Sequence, residues 1–157
     1  MIREAFDSDE GRILSLVQDA GVFNSIEVKT VKEIWQDYLS EGEIENGYHF
    51  LVIGQNDNIQ GFACYGERPL TKGTYDLYWI VIAPDQRRKG FGRALLQCVE
   101  QDVLSCGGRL IIIETSCTAE YASTREFYLK SGYGLEARIR DFYHPNDDLM
   151  IYTKHLK

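Results

Sequence analysis

The chain has 157 residues, 44% of them hydrophobic and 26% charged, and its formal net charge is −7 from 24 acidic and 17 basic side chains. This length predicts one compact domain over residues 1–157. The acidic balance argues against a general affinity for nucleic acid, and no uncharged stretch is long enough to cross a bilayer. We therefore expect a soluble, cytoplasmic protein with no nucleic-acid or membrane partner.

The cysteines and histidines do not have metal-ligand spacing. The three histidines lie far apart, and the four cysteines lack CxxC spacing: Cys64, Cys98, Cys106 and Cys117. We predict reduced, mostly buried cysteines and no metal site.

The N-terminal third predicts one strand and two helices. Residues 2–5 are a short strand candidate, and apolar residues from 13 to 20 recur at helical spacing behind possible caps at residues 7–9. A second apolar stripe follows Thr30, which is a candidate helix cap, and ends near Gly42.

The middle of the chain predicts an antiparallel meander. Residues 48–53, 59–65 and 74–82 are rich in aromatic and β-branched side chains. Asn56 begins a turn segment between the first two strands, and Pro84 ends the third.

The second half of the chain predicts a crossover and a closing hairpin. Residues 90–104 have an apolar helical stripe, and residues 110–113 form an unbroken apolar run typical of a buried strand. A helix at about 120–131 precedes a hairpin of residues 133–140 and 149–155. The fold class is therefore α/β (α+β): a mixed, mostly antiparallel central sheet flanked by helices, with a right-handed βαβ crossover.

A basic, glycine-containing segment joins the third meander strand to the crossover helix: Arg87, Arg88, Lys89, Gly90, Phe91, Gly92 and Arg93. A helix N-terminus offers free N–H groups to an anion, and glycine permits close approach of a phosphate. Basic residues in a first turn oppose the helix dipole unless an anion binds there. The alternative is an ordinary surface helix with a basic first turn. The spacing of a P-loop and the third glycine of a dinucleotide fingerprint are both absent.

Two motifs carry a family resemblance. Residues 79–84, followed by Arg87-x-x-Gly90-x-Gly92-Arg93-Ala94, resemble the acetyl-CoA motif of the GNAT superfamily of N-acetyltransferases. Residues 127–133, FYLKSGY, resemble a later segment of the same family. The order of predicted elements is similar to the GNAT fold over essentially the whole chain.

The resemblance implies roles for residues at the matching positions. Backbone groups of Ile80, Val81 and Ile82 would contact the pantetheine arm of the co-substrate acetyl-CoA, and amides of residues 88–93 would hold its pyrophosphate. Tyr128 would lie near the thioester sulfur. Many members carry an asparagine where this chain has Tyr121, and residues 114–121 form a segment about two residues longer than in those members. The cofactor contacts of that segment are therefore open.

Acetyl transfer to an amine needs a proton donor for the departing thiolate, and Tyr128 is the candidate. A tyrosine hydroxyl stays protonated at neutral pH and can donate to sulfur. The alternative is a core aromatic packed beside Phe127.

Glu114 is the candidate general base, because it follows four apolar residues of the buried strand. Protein N-terminal acetyltransferases of the superfamily carry a glutamate at the matching place. The alternative is a solvated carboxylate past the strand end, paired with Arg109 or Arg125. Asp76 and Glu67 are weaker candidates.

The acceptor amine remains open between a small amine, an amino-acid-like molecule and a peptide N-terminus. Residues 140–148 resemble the aromatic and acidic hairpin loop of peptide N-terminal acetyltransferases, and such a loop suits any cationic amine; a plain polar turn is the alternative. A non-catalytic acyl-CoA-binding or regulatory module is the second function considered, and a nucleic-acid-binding domain is a poorer third. The sequence leaves both a monomer and a homodimer open.

Overall fold

The computed structural model describes residues 1–55 and 57–157, apart from the side chains of residues 41–46, so the turn residue Asn56 lies outside the described residues. Four α-helices lie in this part of the chain: α1 (Glu10–Asp19), α2 (Ser25–Asn46), α3 (Phe91–Ser105) and α4 (Ala122–Lys130). The strands are β1 (Ile2–Glu4), β2 (Tyr48–Gln55), β3 (Asn58–Glu67), β4 (Thr74–Ile82), β5 (Leu110–Ser116), β6 (Gly134–His144) and β7 (Asp147–His155).

The strands form one seven-stranded mixed sheet in the order β1-β2-β3-β4-β5-β7-β6. β4 and β5 pair in parallel, with Thr74 opposite Leu110 and Asp76 opposite Ile112. The β1–β2, β2–β3, β5–β7 and β6–β7 pairs are antiparallel. The predicted fold class, including the βαβ crossover through α3, is confirmed.

The chain forms two compact units, of which the first comprises Met1–Gly66 and Trp79–Asp102. Its core packs α1 and α2 against β2 and β3. Trp35 is fully buried and meets Phe50 edge to face, with ring centroids 5.0 Å apart. Burying an aromatic side chain of this kind contributes about 2–3 kcal/mol, so α2 is fixed mainly by this packing.

The second unit comprises Glu67–Tyr78 and Val103–Lys157. Ile111 and Ile113 of β5 are buried, and the aromatic rings of Tyr128, Tyr133 and Tyr152 form a buried group beside them. The prediction of one domain over residues 1–157 stays a prediction.

The start and end of α2 differ from the predicted positions. The helix begins at Ser25, where the Asn24 side chain accepts the Glu27 N–H at 2.9 Å. Asparagine is a stronger N-cap than threonine, and Thr30 instead donates to the carbonyl of Ile26 inside the helix. The helix continues past Gly42 to Asn46, and Gly47 follows it at φ 74°, the left-handed conformation typical of a C-terminal glycine.

The strands of the second unit are longer than predicted. β5 extends to Ser116, so Glu114 lies inside the strand and not past its end. β6 and β7 continue through most of the predicted 140–148 loop and leave only Pro145 and Asn146 between them. The cysteines are all free, but only Cys64 is buried.

The connection between β3 and β4 contains a strained residue. Thr71 donates its N–H to the carbonyl of Arg68 across Pro69 and Leu70, and Leu70 has φ 68°. This is a type II turn, whose third position favours glycine. Leu70 is also fully exposed, so its side chain gains no burial in return for the strain.

Replacing Leu70 with glycine is therefore expected to stabilise the protein by about 0.5–1 kcal/mol, because relief of the left-handed strain exceeds the added chain entropy of glycine. Leu70→Ala retains the Cβ atom and is expected to give almost no gain. Urea unfolding of the three proteins measures this, and equal gains from both substitutions would contradict the strain argument.

Candidate active site

The N-terminus of α3 is shaped as an anion site. A short 3-10 turn (Pro84–Gln86) follows β4, and Arg88 and Gly90 then adopt φ values of 63° and 87°. Ala94 donates its N–H to the Gly90 carbonyl at 3.0 Å. The N–H groups of residues 91–93 precede this first helical hydrogen bond, so they have no acceptor within the helix.

The side chains around this turn are basic and exposed: Arg87, Arg88, Lys89 and Arg93. Arg87 donates to the carbonyl of Ile82 at 3.3 Å, and Lys89 donates to the side chain of Gln86 at 3.2 Å. A Cβ atom at Gly90 would meet no atom within 4 Å, so the turn is open beside its backbone. Free N–H groups, open space and positive charge together fit a phosphate group.

Tyr128 of α4 is buried, with 6% of its surface exposed, and its ring packs against Phe127, Tyr133 and Tyr152. Its hydroxyl has no hydrogen-bond partner among the residues that the structure describes. Burial, and to a smaller extent the neighbouring Tyr121, raises the pKa of Tyr128 well above its ordinary value. The hydroxyl is therefore protonated at neutral pH and able to donate to a ligand.

Glu114 lies in a charged group with Arg68 and Asp76. Arg68 binds both oxygens of Asp76, with Nε 2.9 Å from Oδ2 and Nη2 2.6 Å from Oδ1. The same Nη2 lies 3.4 Å from Oε1 of Glu114. Asp76 is 7% exposed, whereas the side chains of Arg68 and Glu114 are 43% and 42% exposed. The hydrogen bond to Asp76, more than the one to Glu114, raises the pKa of Arg68.

β5 divides the candidate acid from the candidate base. Glu114 pairs with Ile151 of β7, and Ile113 pairs with Tyr152, against which Tyr128 packs. Because successive side chains of a strand point to opposite faces, Glu114 lies on the face opposite Tyr128. The register of β4 with β5 ends at the Asp76–Ile112 pair, just before Glu114.

The segment between β5 and α4 is tied to the β6–β7 hairpin. Ser116 donates from its hydroxyl to Asp147, and the Asp148 N–H donates to Sγ of Cys117 at 3.1 Å. Arg125 of α4 donates to the carbonyls of Ser116 and Thr118 at 2.9 and 2.7 Å. These contacts fix the segment between β5 and α4 to both the hairpin and α4.

The hairpin itself is held by Asp148. Its carboxylate accepts the Asp141 N–H at 2.9 Å and the Arg138 guanidinium, and these two contacts lower the pKa of Asp148. Phe142 and Tyr143 follow with exposed rings, edge to face at 5.0 Å between centroids. The aromatic and acidic character predicted for residues 140–148 is thus present on a strand end, not on a free loop.

The model of the Acetyltransferase (GNAT) family matches residues 13–133, which is most of the chain and includes the α3 N-terminus and Tyr128. The chain belongs to the GNAT family of acetyltransferases. The resemblance predicted from the two motifs is confirmed.

Solved structures agree with this assignment. A protein from Desulfovibrio desulfuricans, described as a GNAT-family acetyltransferase, is 39% identical, with a TM-score of 0.96 over 100% of this chain and 99% of that one. The ribosomal-protein-S18-alanine N-acetyltransferase of Escherichia coli has a TM-score of 0.80 at 20% identity, over 100% of this chain and 94% of that one. A Salmonella typhimurium protein described as an acetyltransferase, solved with its cofactor acetyl-CoA, has a TM-score of 0.77 at 17% identity, over 100% and 94% of the two chains. No curated protein matches the sequence significantly.

Sequence reasoning about the GNAT motif residues named the cradle and Tyr128 as candidates, which stay predictions, but it did not name the partner of Glu114. Neither predicted partner of Glu114 is right. Arg109 donates to the Lys72 carbonyl, and Arg125 donates to the carbonyls of Ser116 and Thr118. Arg68 is the partner instead. The available signal was Asp76, a carboxylate within an apolar strand, because a buried carboxylate requires a cation. Of the weaker candidates, Asp76 is occupied by Arg68, and Glu67 accepts the Gly73 N–H at 2.9 Å.

The described residues contain neither a cluster of metal-ligating side chains nor a membrane-spanning helix. Residues 1–55 and 57–157 contain no group of three potential metal-ligating His, Cys, Asp or Glu side chains. Over the same residues, no helix has the length and apolar character needed to cross a membrane.

The raised pKa of Tyr128 predicts a specific loss of stability in alkali. The folded state favours the neutral phenol, so this contribution is complete below the unfolded pKa of about 10 and is lost as pH rises above it. The free energy of unfolding of the wild type should therefore fall about 1.4 kcal/mol per pH unit more steeply than that of Tyr128→Phe above pH 10. Urea unfolding between pH 9 and 11.5 measures the two slopes, and equal slopes would contradict the assignment.

Proposed function

We propose that this GNAT protein is an N-acetyltransferase that moves the acetyl group of acetyl-CoA to a primary amine, by direct attack within a ternary complex. The acceptor is a small amine, an amino-acid-like molecule or a peptide N-terminus. The observation that carries the proposal is the N-terminus of α3, which follows Gly90 and is open and basic. We place the reaction in the cytoplasm, in keeping with four free cysteines.

The cradle would hold the pyrophosphate of acetyl-CoA. The N–H groups of residues 88–93 would donate to its oxygens, and Arg87, Arg88, Lys89 and Arg93 would neutralise its charge. Ile80, Val81 and Ile82 lie beyond the register of β4 with β5, which supports contact of their backbone groups with the pantetheine arm.

Tyr128 would be the general acid. As the amine nitrogen bonds to the thioester carbon, the C–S bond breaks and the sulfur takes the phenolic proton. The proton that the nitrogen loses on becoming an amide would return to the phenolate through water. A largely buried tyrosine whose hydroxyl has no protein partner supports this role, because the O–H group is left available to a ligand.

Glu114 would be the general base, taking a proton from the acceptor ammonium directly or through water. Its exposure of 42% permits contact with an acceptor arriving from solvent. Glu114 and Tyr128 lie on opposite faces of β5, so the transfer would occur where the β4–β5 register has ended and the two strands no longer pair. The amine would then approach from one face while the sulfur is protonated from the other.

The test of the proposal is CoA release from acetyl-CoA in the presence of small amines, amino acids, amino-acid amides and short peptides. Turnover with at least one of these, and mass-spectrometric detection of the N-acetyl product, is expected. Tight binding of acetyl-CoA without turnover by any acceptor would favour the non-catalytic module.

Gly92→Val tests the cradle. A branched side chain in the first turn of α3 would occupy the space beside the free N–H groups, so acetyl-CoA affinity should fall by at least about tenfold. Gln97→Val, at an exposed position of the next turn, is the matched control and should bind normally. Calorimetry measures the acetyl-CoA affinity of both variants. An unchanged affinity in a folded Gly92→Val protein would contradict the assignment of the cradle as the acetyl-CoA site.

Tyr128→Phe tests the acid by removing one hydroxyl and keeping the ring packing. Turnover should fall about 10²- to 10⁴-fold, while the affinity for acetyl-CoA changes little. Steady-state kinetics and calorimetry on the same preparation measure the two effects. Full turnover by the variant would contradict the role of Tyr128 as the acid and indicate that this residue contributes only to packing.

Glu114→Gln tests the base with little change in shape. The rate should fall at neutral pH, and the deficit should shrink as pH rises, because more of the amine then arrives already neutral. The measurement is kcat/KM against pH for both proteins with one accepted amine. A deficit of constant size across the profile would indicate a structural carboxylate.

A further inference from the structure

Arg68 is held more rigidly than a typical surface arginine. Its N–H donates to the Thr74 carbonyl at 2.8 Å, and its own carbonyl accepts the Thr71 hydroxyl at 2.7 Å. Its guanidinium binds both oxygens of the buried Asp76. This bidentate geometry fixes the plane of the guanidinium, so its remaining donors have a defined position before any ligand arrives.

The remaining donors are those of Nη1, which has no acceptor in the part of the chain that the structure describes. Nη2 reaches Glu114 only at 3.4 Å, and both side chains of that contact are more than two-fifths exposed. Such a contact is weak, so a ligand competes with it at little cost. Arg68 and Glu114 therefore form an accessible donor and acceptor side by side.

The charges of this group favour one class of ligand. Asp76 cancels the charge of Arg68, which leaves Glu114 as one uncompensated negative charge. An ammonium beside Glu114 would neutralise it, whereas a second carboxylate would be repelled by Glu114. The partner favoured for the available N–H groups of Nη1 and Nη2 is consequently a neutral oxygen.

The spacing also selects a ligand. In an α-amino carbonyl group, the nitrogen and the carbonyl oxygen are about 3 Å apart when they lie on the same side. This is close to the 3.4 Å between Nη2 of Arg68 and Oε1 of Glu114. One such group can therefore contact Glu114 through its amine and Arg68 through its oxygen.

We propose that Arg68 is a specificity-determining residue that binds the neutral carbonyl oxygen next to the acceptor amine. The acceptor class is then an α-amino amide, as in an amino-acid amide or a peptide N-terminus, and not a free amino acid or a plain amine. This inference rests on the proposed N-acetyltransferase function and on Glu114 facing the acceptor.

The test compares glycinamide, glycine and propylamine as acceptors for the wild-type protein. The three have similar size, but only glycinamide offers a neutral carbonyl oxygen. Rates are expressed per neutral amine, because the three amines ionise differently. We expect kcat/KM for glycinamide to exceed that for each of the others by about 10- to 100-fold, the effect of a hydrogen bond to a charged group.

The variant that tests Arg68 is the double substitution Arg68→Gln with Asp76→Asn. Arg68→Gln alone would leave Asp76 as a buried charge without a cation, and the double variant avoids this. The preference for glycinamide over propylamine should fall to about one in the double variant, with acetyl-CoA affinity unchanged. Arg109→Gln removes another arginine of the same unit and should retain the preference.

The outcomes separate the two proposals. Absence of turnover by the wild type with all three amines and with longer peptides overturns the proposed function and this inference with it. Turnover without a preference for glycinamide, or a preference that survives in the double variant, overturns the role of Arg68 and leaves the proposed function standing.

Discussion

The parallel pairing of β4 with β5 is the constraint on which the rest of the structure depends. Parallel neighbours cannot be joined by a tight turn, so the chain has to leave the end of β4, pass through a helix and return. That requirement makes α3 the next α-helix after β4, beyond the short turn at Pro84–Gln86, and the first N–H groups of α3 have no acceptor within the helix. The pairing is also short, since the register covers only Thr74–Asp76 against residues 110–112. Topology thus accounts for the open helix N-terminus and for the short β4–β5 pairing on which the proposed acetyl-CoA site rests.

Much of the fold could be predicted because its signals are local. The apolar stripe of α3, the unbroken run that begins β5 and the turn residues of the hairpins each act within about fifteen residues. The start of α2 was missed because Asn24 and Thr30 are both acceptable caps, and only packing of Trp35 against Phe50 sets the position of the helix. The lengths of β5 and β7 were missed for a similar reason, since the polar end of β5 pairs with β7 and the polar start of β7 pairs with β6, with Asp147 opposite His144.

The candidate site was predictable only where backbone geometry creates it. The cradle follows from two glycines at a strand-to-helix junction, which is a sequence pattern. The ion pair of Arg68 with Asp76 joins residues on either side of a turn, and the contact of Arg68 with Glu114 joins the β3–β4 connection to β5, 46 residues further along the chain. No periodicity reports such contacts, because side-chain pairing across a sheet depends on register. The same holds for Ser116 with Asp147, which links the β5–α4 segment to the hairpin.

The two candidate catalytic groups differ in their surroundings in a way that suits their different tasks. Tyr128 is enclosed by other aromatic rings, where the charged phenolate is disfavoured and the hydroxyl stays neutral. Glu114 is open to water beside a guanidinium, where a carboxylate is readily accommodated. One strand supports both environments because its alternate residues face opposite sides of the sheet.

The cradle at α3 also has a consequence for how freely this sequence can change over time. Its proposed N–H donors belong to the main chain, so no substitution other than proline can delete them. What has to be preserved is a pair of backbone angles, at Arg88 and Gly90, and enough empty space beside them. Most other positions of α3 can then accept substitutions, provided that the buried stripe of the helix remains apolar. Binding of this kind depends on the backbone conformation of a few residues, so it restricts the amino-acid type at only a few positions.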